Sequence, residues 1–276
     1  MSMDKIGRYE VEKELAQGGM GLIFLARDPY IQRNVVVKVL MYRHTTDEVY
    51  REFFQQEAEL IAALEHPCIV PIYDFGWHGQ QPYIVMRYMA GGSLEDKMKR
   101  GEVKQTEIAH IFRRIAEALD AAHARNIIHR DVKPSNFLYD STGEIFLSDF
   151  GIAKSKPFTD DEGEWLVGTP AYMSPEQVKG QKTDGRSDIY ALGIVLYYLL
   201  TGQLPFAASS TTALINAHVD LPVPDLRAIK KNIPSVWQEV VGKAMAKEPN
   251  ERYVTAGDFA RDVNEVVSGR WYLRKL

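Results

Sequence analysis

Between the apolar pairs Ile127-Ile128 and Phe146-Leu147 the chain places His129-Arg130-Asp131-Val132-Lys133-Pro134-Ser135-Asn136, and Ser148-Asp149-Phe150-Gly151 follows the second pair. A fold that buries those pairs must hold two carboxylates and a lysine at the mouth of a core, because charge is costly to bury without a partner. Such a place suits chemistry on a polar substrate. Asp131 can accept a proton from a hydroxyl and Lys133 can neutralise a phosphoryl oxygen. Asn136 and Asp149 supply the hard oxygen ligands that Mg2+ prefers. Each residue alone also reads as part of a polar loop with a proline turn; the set at this spacing carries the chemistry.

The chain ahead of this stretch reads as a sheet. Residues 9–15 alternate Val11 and Leu15 with charged positions, the period-two pattern of a half-exposed strand, and residues 22–26 read as a second strand. Between them Ala16-Gln17-Gly18-Gly19-Met20-Gly21 is a hairpin whose glycines let backbone N–H groups approach phosphate oxygens. Alone, it is equally an ordinary turn. No Gly-Lys-Ser/Thr follows, unlike a P-loop, and a strand rather than a helix comes next, unlike a dinucleotide fingerprint. Further strands are expected over 35–40, 69–75 and 81–88, the last two joined by Trp77-His78-Gly79-Gln80.

Lys38 stands in the apolar run Val35-Val36-Val37-Lys38-Val39-Leu40. A lysine snorkelling from an edge strand is one reading. A second charge on an apolar face supports another. Thr45-Thr46-Asp47-Glu48 offers a capping box, and the helix beyond carries its stripe on Val49, Phe53, Leu60, Ile61 and Leu64. Glu57 falls on that stripe, where a carboxylate needs a partner, and Lys38 is the obvious one.

Beyond residue 90 the pattern turns helical. Ser93 is a plausible N-cap for a short helix through Lys97. Thr106-Glu107 opens a helix with Ile108, Ile111, Phe112, Ile115 and Leu119 on one face. Residues 189–200 are apolar nearly all round and read as a buried helix behind Asp188, and residues 236–246 and 256–267 read as closing helices.

A length of 276 residues allows one large domain or two lobes, and a net charge of −4 gives no overall pull toward nucleic acid or an anionic membrane. The single cysteine, Cys68, cannot form an internal disulfide, which fits a reducing compartment and a small buried apolar residue. Asp4, Lys5 and Arg8 interrupt any signal-peptide run, and the apolar stretch 189–200 is too short to span a bilayer. The expectation is a cytoplasmic chain that makes no membrane contact itself.

On these residues the chain resembles the protein kinase family, whose H-R-D-x-x-x-x-N and D-F-G signatures are matched at His129–Asn136 and Asp149–Gly151. The likeness runs from Tyr9 to Val267. It is nearest to bacterial serine/threonine kinases of the eukaryotic type, on Gly18-Gly19-Met20-Gly21, Gly168-Thr169-Pro170 and Ser174-Pro175-Glu176-Gln177. The resemblance implies an α+β fold of two lobes in a single catalytic domain over residues 1–276. A sheet-rich N-lobe with one main helix covers about 9–89, a mainly helical C-lobe about 90–267, and a tail 268–276. It implies ATP and Mg2+, and a protein substrate with a serine or threonine acceptor. Pairing of two copies through the N-lobe is a further possibility in relatives.

Residue by residue, the resemblance implies Asp131 as the group that orients the acceptor, Lys133 and Lys38 as phosphate partners, and Glu57 as the partner of Lys38. Asn136 and Asp149 would hold the metal. Leu15, Ala16, Gln17, Gly18, Gly19, Met20, Gly21, Leu22, Ile23, Val36, Lys38, Met86, Arg87, Met89 and Leu138 would contact the nucleotide. Departures from the family are Ala16 for glycine and Arg87 for glutamate, with Ile23 and Val36 where valine and alanine are common. Glu176 is expected to pair with Arg252, and Asp188 to hold the loop backbone.

In kinases with an arginine at the position of Arg130, that residue commonly meets a phosphate on the segment that here is 152–173, where Ser155, Thr159 and Thr169 are the hydroxyls. Glu164-Trp165-Leu166-Val167 stands where bacterial relatives carry threonines, so Asp160, Asp161, Glu162 or Glu164 could supply the negative charge instead; a solvated acidic loop is the alternative. The rival functions are a pseudokinase scaffold, to which Ala16 leans, and a small-molecule kinase, against which the Thr169 segment argues.

Overall fold

Alternating apolar residues in the first ninety positions and helically spaced ones thereafter divide the chain. In the computed structural model, which describes residues 4–18, 21–40, 48–150 and 170–271, one compact unit is Met1–Gly91 with Asp140–Gly143. The other is Gly92–Tyr139 with Glu144–Leu276. The expectations for Gly19, Met20, the Thr45 capping box, the segment from Gly151 to Thr169 and residues 272–276 lie outside the described residues.

The first unit is an antiparallel sheet with one helix. Its strands are β1 (Lys5–Ile6), β2 (Tyr9–Gly18), β3 (Gly21–Asp28), β4 (Arg33–Leu40), β5 (Ile72–His78) and β6 (Gln81–Arg87), in the spatial order β1-β2-β3-β4-β6-β5, and α1 spans Glu48–Ala62. Period-two alternation sends Val35, Val37 and Val39 to one face, into a core with Ile6, Tyr9, Phe24, Ala26, Tyr83 and Val85. The other face carries Ala16, Ile23, Lys38, Ile84 and Phe75 as successive cross-strand partners, with Leu25, Val36 and Met86 in the next row. The helix α1 packs on this second face: the Phe54 ring meets Phe75 at 6.4 Å and Trp77 at 5.5 Å.

Three local expectations are corrected. Of the stripe expected on α1, Ile61 and Leu64 are buried, but Leu60 is 60% exposed, because the helix packs on β5 through Phe54, Ala58 and Ile61 at i, i+4, i+7 and Leu60 turns away; the side chains of Val49 and Phe53 lie outside the described residues. The strand expected from residue 69 begins at Ile72, since the Ile69 N–H turns back to the His66 carbonyl (3.0 Å). The loop after it is shorter than expected. Trp77 and His78 belong to β5, and only Gly79 and Gln80 turn between the paired His78 and Gln81, with Gly79 at φ 62°.

The second unit contains α2 (Leu94–Lys99), α3 (Ile108–His123), the ribbon β7 (Phe137–Tyr139) and β8 (Ile145–Leu147), and α4 (Pro175–Val178). The helices α5 (Gly185–Thr201), α6 (Thr211–Asp220), α7 (Leu226–Ile229), α8 (Val236–Ala244) and α9 (Ala256–Val267) follow. Ser93 closes a capping box with Asp96 at the start of α2. All five apolar residues expected on the inner face of α3 are buried there, and burial of each such side chain contributes about 1.5–3 kcal/mol. Phe112 of α3 packs edge-on to Phe259 of α9 (5.6 Å). Asp120 accepts the Ala256 and Gly257 N–H groups at 2.9 and 2.8 Å, so a carboxylate closes the positive end of α9. The helix α5 is buried on nearly every side and forms the axis of the unit. Among the described residues no helix is long and apolar enough to cross a membrane.

Candidate active site

In the first unit the register gathers the expected nucleotide contacts on one sheet face. Lys38 is half-buried between Ile23 and Ile84, and Val36 lies between Leu25 and Met86. Because α1 covers part of this same face, Glu57, half-buried beside Phe54 and Ala58, belongs to the Lys38 side of the sheet. One oxygen of its carboxyl is fully buried. Leu22 departs from the expectation: it pairs with Val39 and packs on the core cluster, so its side chain faces away from Ile23 and Lys38. Leu15 is 40% exposed at a register shift between Glu14 and Ala16.

The hairpin explains both its glycine and its alanine. Gly18 and Gly21 close it as a cross-strand pair. Gly21 has φ 149°, and a Cβ there would lie 2.0 Å from the Val39 carbonyl oxygen, so backbone approach alone demands glycine. Ala16, in contrast, sits in β2 opposite Ile23 and is not among the residues with positive φ, so the departure from glycine costs no backbone strain.

Arg87 ends β6. Its N–H donates to the Pro71 carbonyl (3.1 Å), and its guanidinium lies 3.4 Å from the Asp140 carboxylate. Asp140 is buried and also accepts the Thr142 N–H (2.8 Å) and hydroxyl (2.7 Å). The charge introduced where the family has glutamate is thus met by a carboxylate from the 140–143 turn. Met86 and Met89 are both buried.

In the second unit the motif residues form one network. The Lys133 ammonium is 2.9 Å from Asp131 Oδ2. Asn136 donates through Nδ2 to the Asp131 carbonyl (2.8 Å) and to Asp131 Oδ2 (3.2 Å). With its nitrogen committed, the amide presents its oxygen as the atom suited to a hard cation. Ser148 donates its N–H and its hydroxyl to the Asn136 carbonyl (2.9 and 3.0 Å), which ties Asp149, the next residue, to the Asn136 backbone. The donor set therefore fits Mg2+: a carboxylate and an amide oxygen on adjoining backbone. Leu138, the middle residue of β7, is half-buried and pairs with Phe146.

His129 is fully buried and carries the loop's internal wiring. Its Nδ1 accepts the Asp131 N–H (3.2 Å), which leaves Nε2 to donate to the Ser148 carbonyl (2.8 Å), and its ring lies 4.6 Å from Phe150. Arg130 and Asp149 adopt φ of 61° and 58°, a region that non-glycine residues rarely occupy. The Arg130 conformation is held from below. Asp188 accepts the Arg130 N–H at Oδ1 (2.8 Å) and the His129 N–H at Oδ2 (2.9 Å), and Gln177 reaches the Arg130 carbonyl at 3.4 Å.

Asp188 has a further donor, His123 Nε2 at 2.7 Å. Burial would raise the Asp188 carboxyl above its ordinary range, but the bond from His123, the charge of His123 and the His129 N–H outweigh it and hold it low. Glu176 is treated alike. Burial disfavours its charge, yet Arg252 and the Ser187 hydroxyl (2.6 Å) keep it below the usual carboxylate range.

A sheet with a glycine hairpin and a facing lysine, followed by a helical unit that carries an Asp–Lys–Asn loop and Asp149-Phe150 bonded back to it, defines the protein kinase class. Residues 9–267 match the family model described as protein kinase domain, and the chain belongs to that family. It is 37% identical over 259 residues to the serine/threonine-protein kinase PrkC of Bacillus subtilis, covering 93% of this chain and 40% of that protein. It is 39% identical over 272 residues to the serine/threonine-protein kinase PknB of Mycolicibacterium smegmatis, covering 95% and 43%. The chain thus spans less than half the length of these relatives. Among solved structures, the Mycobacterium tuberculosis PknI kinase domain superposes with a TM-score of 0.75 at 30% identity, covering 95% of this chain and 96% of that one.

Sequence reasoning missed His123, Asp140, Gln177 and Ser187, each of which partners a residue it named. The histidine offered a signal, as a polar residue in the last turn of an otherwise inward helix face; the other three carry no periodicity that separates them from ordinary loop and cap residues.

Proposed function

We propose that this chain is the catalytic domain of a serine/threonine protein kinase, spanning residues 1–276, that transfers the γ-phosphoryl group of ATP to a protein hydroxyl. The observation that carries the reading is the placement of Asp131 Oδ2, 2.9 Å from the Lys133 ammonium and 3.2 Å from the Asn136 amide. A carboxylate so held can receive the proton of an acceptor hydroxyl as the new O–P bond forms and the bond from the γ-phosphorus to the β,γ-bridging oxygen breaks, the electron pair leaving with ADP. Lys133, already against Asp131, balances charge on the transferred group, and Lys38 does the same at the α- and β-phosphates with Glu57 as its partner.

Bound Mg2+ would neutralise charge on the phosphate oxygens, with Asn136 and Asp149 as its holders. The nucleotide contacts are proposed at residues 15–21, at Ile23, Val36, Lys38 and Met86, at the backbone of Arg87 and Met89, and at Leu138. Leu22 contributes through its backbone alone. Preference for serine and threonine rests on Lys133 and Thr169 through the family resemblance.

The pseudokinase reading is disfavoured because Lys38, Glu57, Asp131, Asn136 and Asp149 are all present. The test is transfer from Mg–ATP to a basic protein by wild type and Asp131→Asn; equal rates contradict the reading. Two finer proposals concern partners and place. Pairing of two copies through the first unit is supported by exposed Tyr30 and Ile31 beside Arg8, whose guanidinium lies 5.7 Å from the Tyr30 ring; Tyr30→Ser should shift sedimentation toward monomer. The chain is also proposed as the cytoplasmic part of a longer protein, given the greater length of its relatives.

A further inference from the structure

Asp188 is the carboxylate that holds the two residues before Asp131, yet two backbone N–H groups do not account for all its bonding. The remaining bond comes from the side chain of His123, in the last turn of α3, whose Nε2 lies 2.7 Å from Oδ2, the same oxygen that takes the His129 N–H. A buried carboxylate with three donors is fixed in rotation, and its orientation decides where the Arg130 N–H, and with it the strained φ of 61° just before Asp131, is held. His123 fits closely: a Cβ added at Gly185, in the first turn of α5, would lie 2.6 Å from its Nδ1.

Among the described residues, the charged groups that act most on His123 are acidic. Asp188 and Asp184 come from α5 and its N-cap, and Asp120 from α3 itself, one turn earlier, where it also closes the N-terminus of α9. Burial works against the imidazolium, but the Asp188 bond and these three carboxylates outweigh it and raise His123 above the ordinary histidine range. Unlike Asp188, His123 keeps some exposure, so it can exchange protons with solvent.

We propose that His123 is a positioning residue for phosphoryl transfer: its bond to Asp188 fixes the carboxylate that holds the His129 and Arg130 amides, and its protonation state makes turnover depend on pH. This rests on the kinase reading above. With His123 charged, the bond to Asp188 is charge-assisted; as pH rises through its folded-state pKa the bond persists between a neutral donor and the carboxylate and weakens. None of the proposed nucleotide contacts is made by His123 or Asp188, so the effect falls on kcat and leaves KM for ATP unchanged.

The test compares wild type, His123→Gln, which keeps an N–H donor without a titrating charge, and His123→Leu, which keeps neither. The kcat of wild type divided by that of His123→Gln should fall about five-fold with rising pH, as an ion-paired bond gives way to one from a neutral donor to the same carboxylate. Its midpoint should coincide with the His123 titration read by imidazole NMR. Taking the ratio removes every titration the two proteins share. His123→Leu should lose about ten-fold or more in kcat at every pH, with KM for ATP within about two-fold. A ratio flat with pH, a His123 that titrates at or below the ordinary histidine range, or a folded His123→Leu with wild-type kcat would each overturn the proposal. A wild type no faster than Asp131→Asn contradicts the kinase reading instead, and the NMR titration then decides the His123–Asp188 arrangement by itself.

Discussion

Arg252 grips Glu176 through two parallel hydrogen bonds, Nη1 to Oε1 at 2.6 Å and Nη2 to Oε2 at 2.7 Å, and both side chains are buried. The other guanidinium N–H groups donate to the carbonyls of Ala246, Arg186 and Lys247. All five donors of the arginine are thus committed, and the segment around Ser174–Gln177 is fastened to the connection between α8 and α9 by a planar fork that lysine cannot imitate.

Arg252→Ala should therefore leave a buried carboxylate without its counter-charge and destabilise the second unit by about 3–5 kcal/mol. Arg252→Lys should recover less than half of that loss. Urea denaturation followed by tryptophan fluorescence measures both, and a cost under about 1 kcal/mol for the alanine variant would show that the pair is dispensable.

His218 supplies an acid-sensitive term. The side chain is fully buried on α6 with Nδ1 3.1 Å from the Tyr190 hydroxyl, while burial and the nearby Lys247 ammonium push its imidazole down to about 4. An unfolded histidine titrates near its ordinary value of about 6.5, so between roughly pH 6.5 and 4 the unfolded chain binds a proton that the fold refuses. Stability is complete above that window and should fall by about 3 kcal/mol across it as pH drops. Denaturation at a series of pH values should show this slope in wild type and its absence in His218→Asn.

The two hairpin positions should respond oppositely to substitution. Gly21→Ala forces a Cβ onto the Val39 carbonyl at a strained φ, and should raise KM for ATP about ten-fold or more while lowering the melting temperature. Ala16→Gly relieves no strain, since Ala16 lies in ordinary extended β2, and should change KM for ATP less than about two-fold. Steady-state kinetics across ATP concentration separates the pair.

Asn136→Ala removes an amide whose nitrogen holds Asp131 and whose oxygen is the proposed metal ligand. Turnover should fall about a hundred-fold at ordinary magnesium and recover in part as Mg2+ is raised. Recovery to the wild-type rate would place the whole role of Asn136 on the metal; none would place it on Asp131.

How far the sequence could be read depended on what carried the signal. The apolar run Val35 to Leu40 was legible as a strand but its two faces were not, since Val36 is as apolar as Val35 and Val37 and only the pairing register separates them, whereas Ile108 to Leu119 announced their helix by their spacing. The phase of α1 was not legible either, because only the position of β5 settles that Phe54 packs inward and that Leu60 turns outward. The side-chain direction of Leu22 was lost for a related reason: a residue next to a glycine hairpin gives no alternation to read. Asp188 was legible as a support for the loop, but its bond to His123 spans 65 residues and leaves no local pattern.

The central claim is that Asp131, held by Lys133 and Asn136, directs the γ-phosphoryl of ATP onto serine or threonine. The most direct measurement is phosphoamino-acid analysis of protein labelled from γ-labelled Mg–ATP by wild type and by Asp131→Asn. The account predicts phosphoserine or phosphothreonine from wild type at a rate at least about a hundred-fold above the variant. Phosphotyrosine as the main product, or equal labelling by the two proteins, would contradict it.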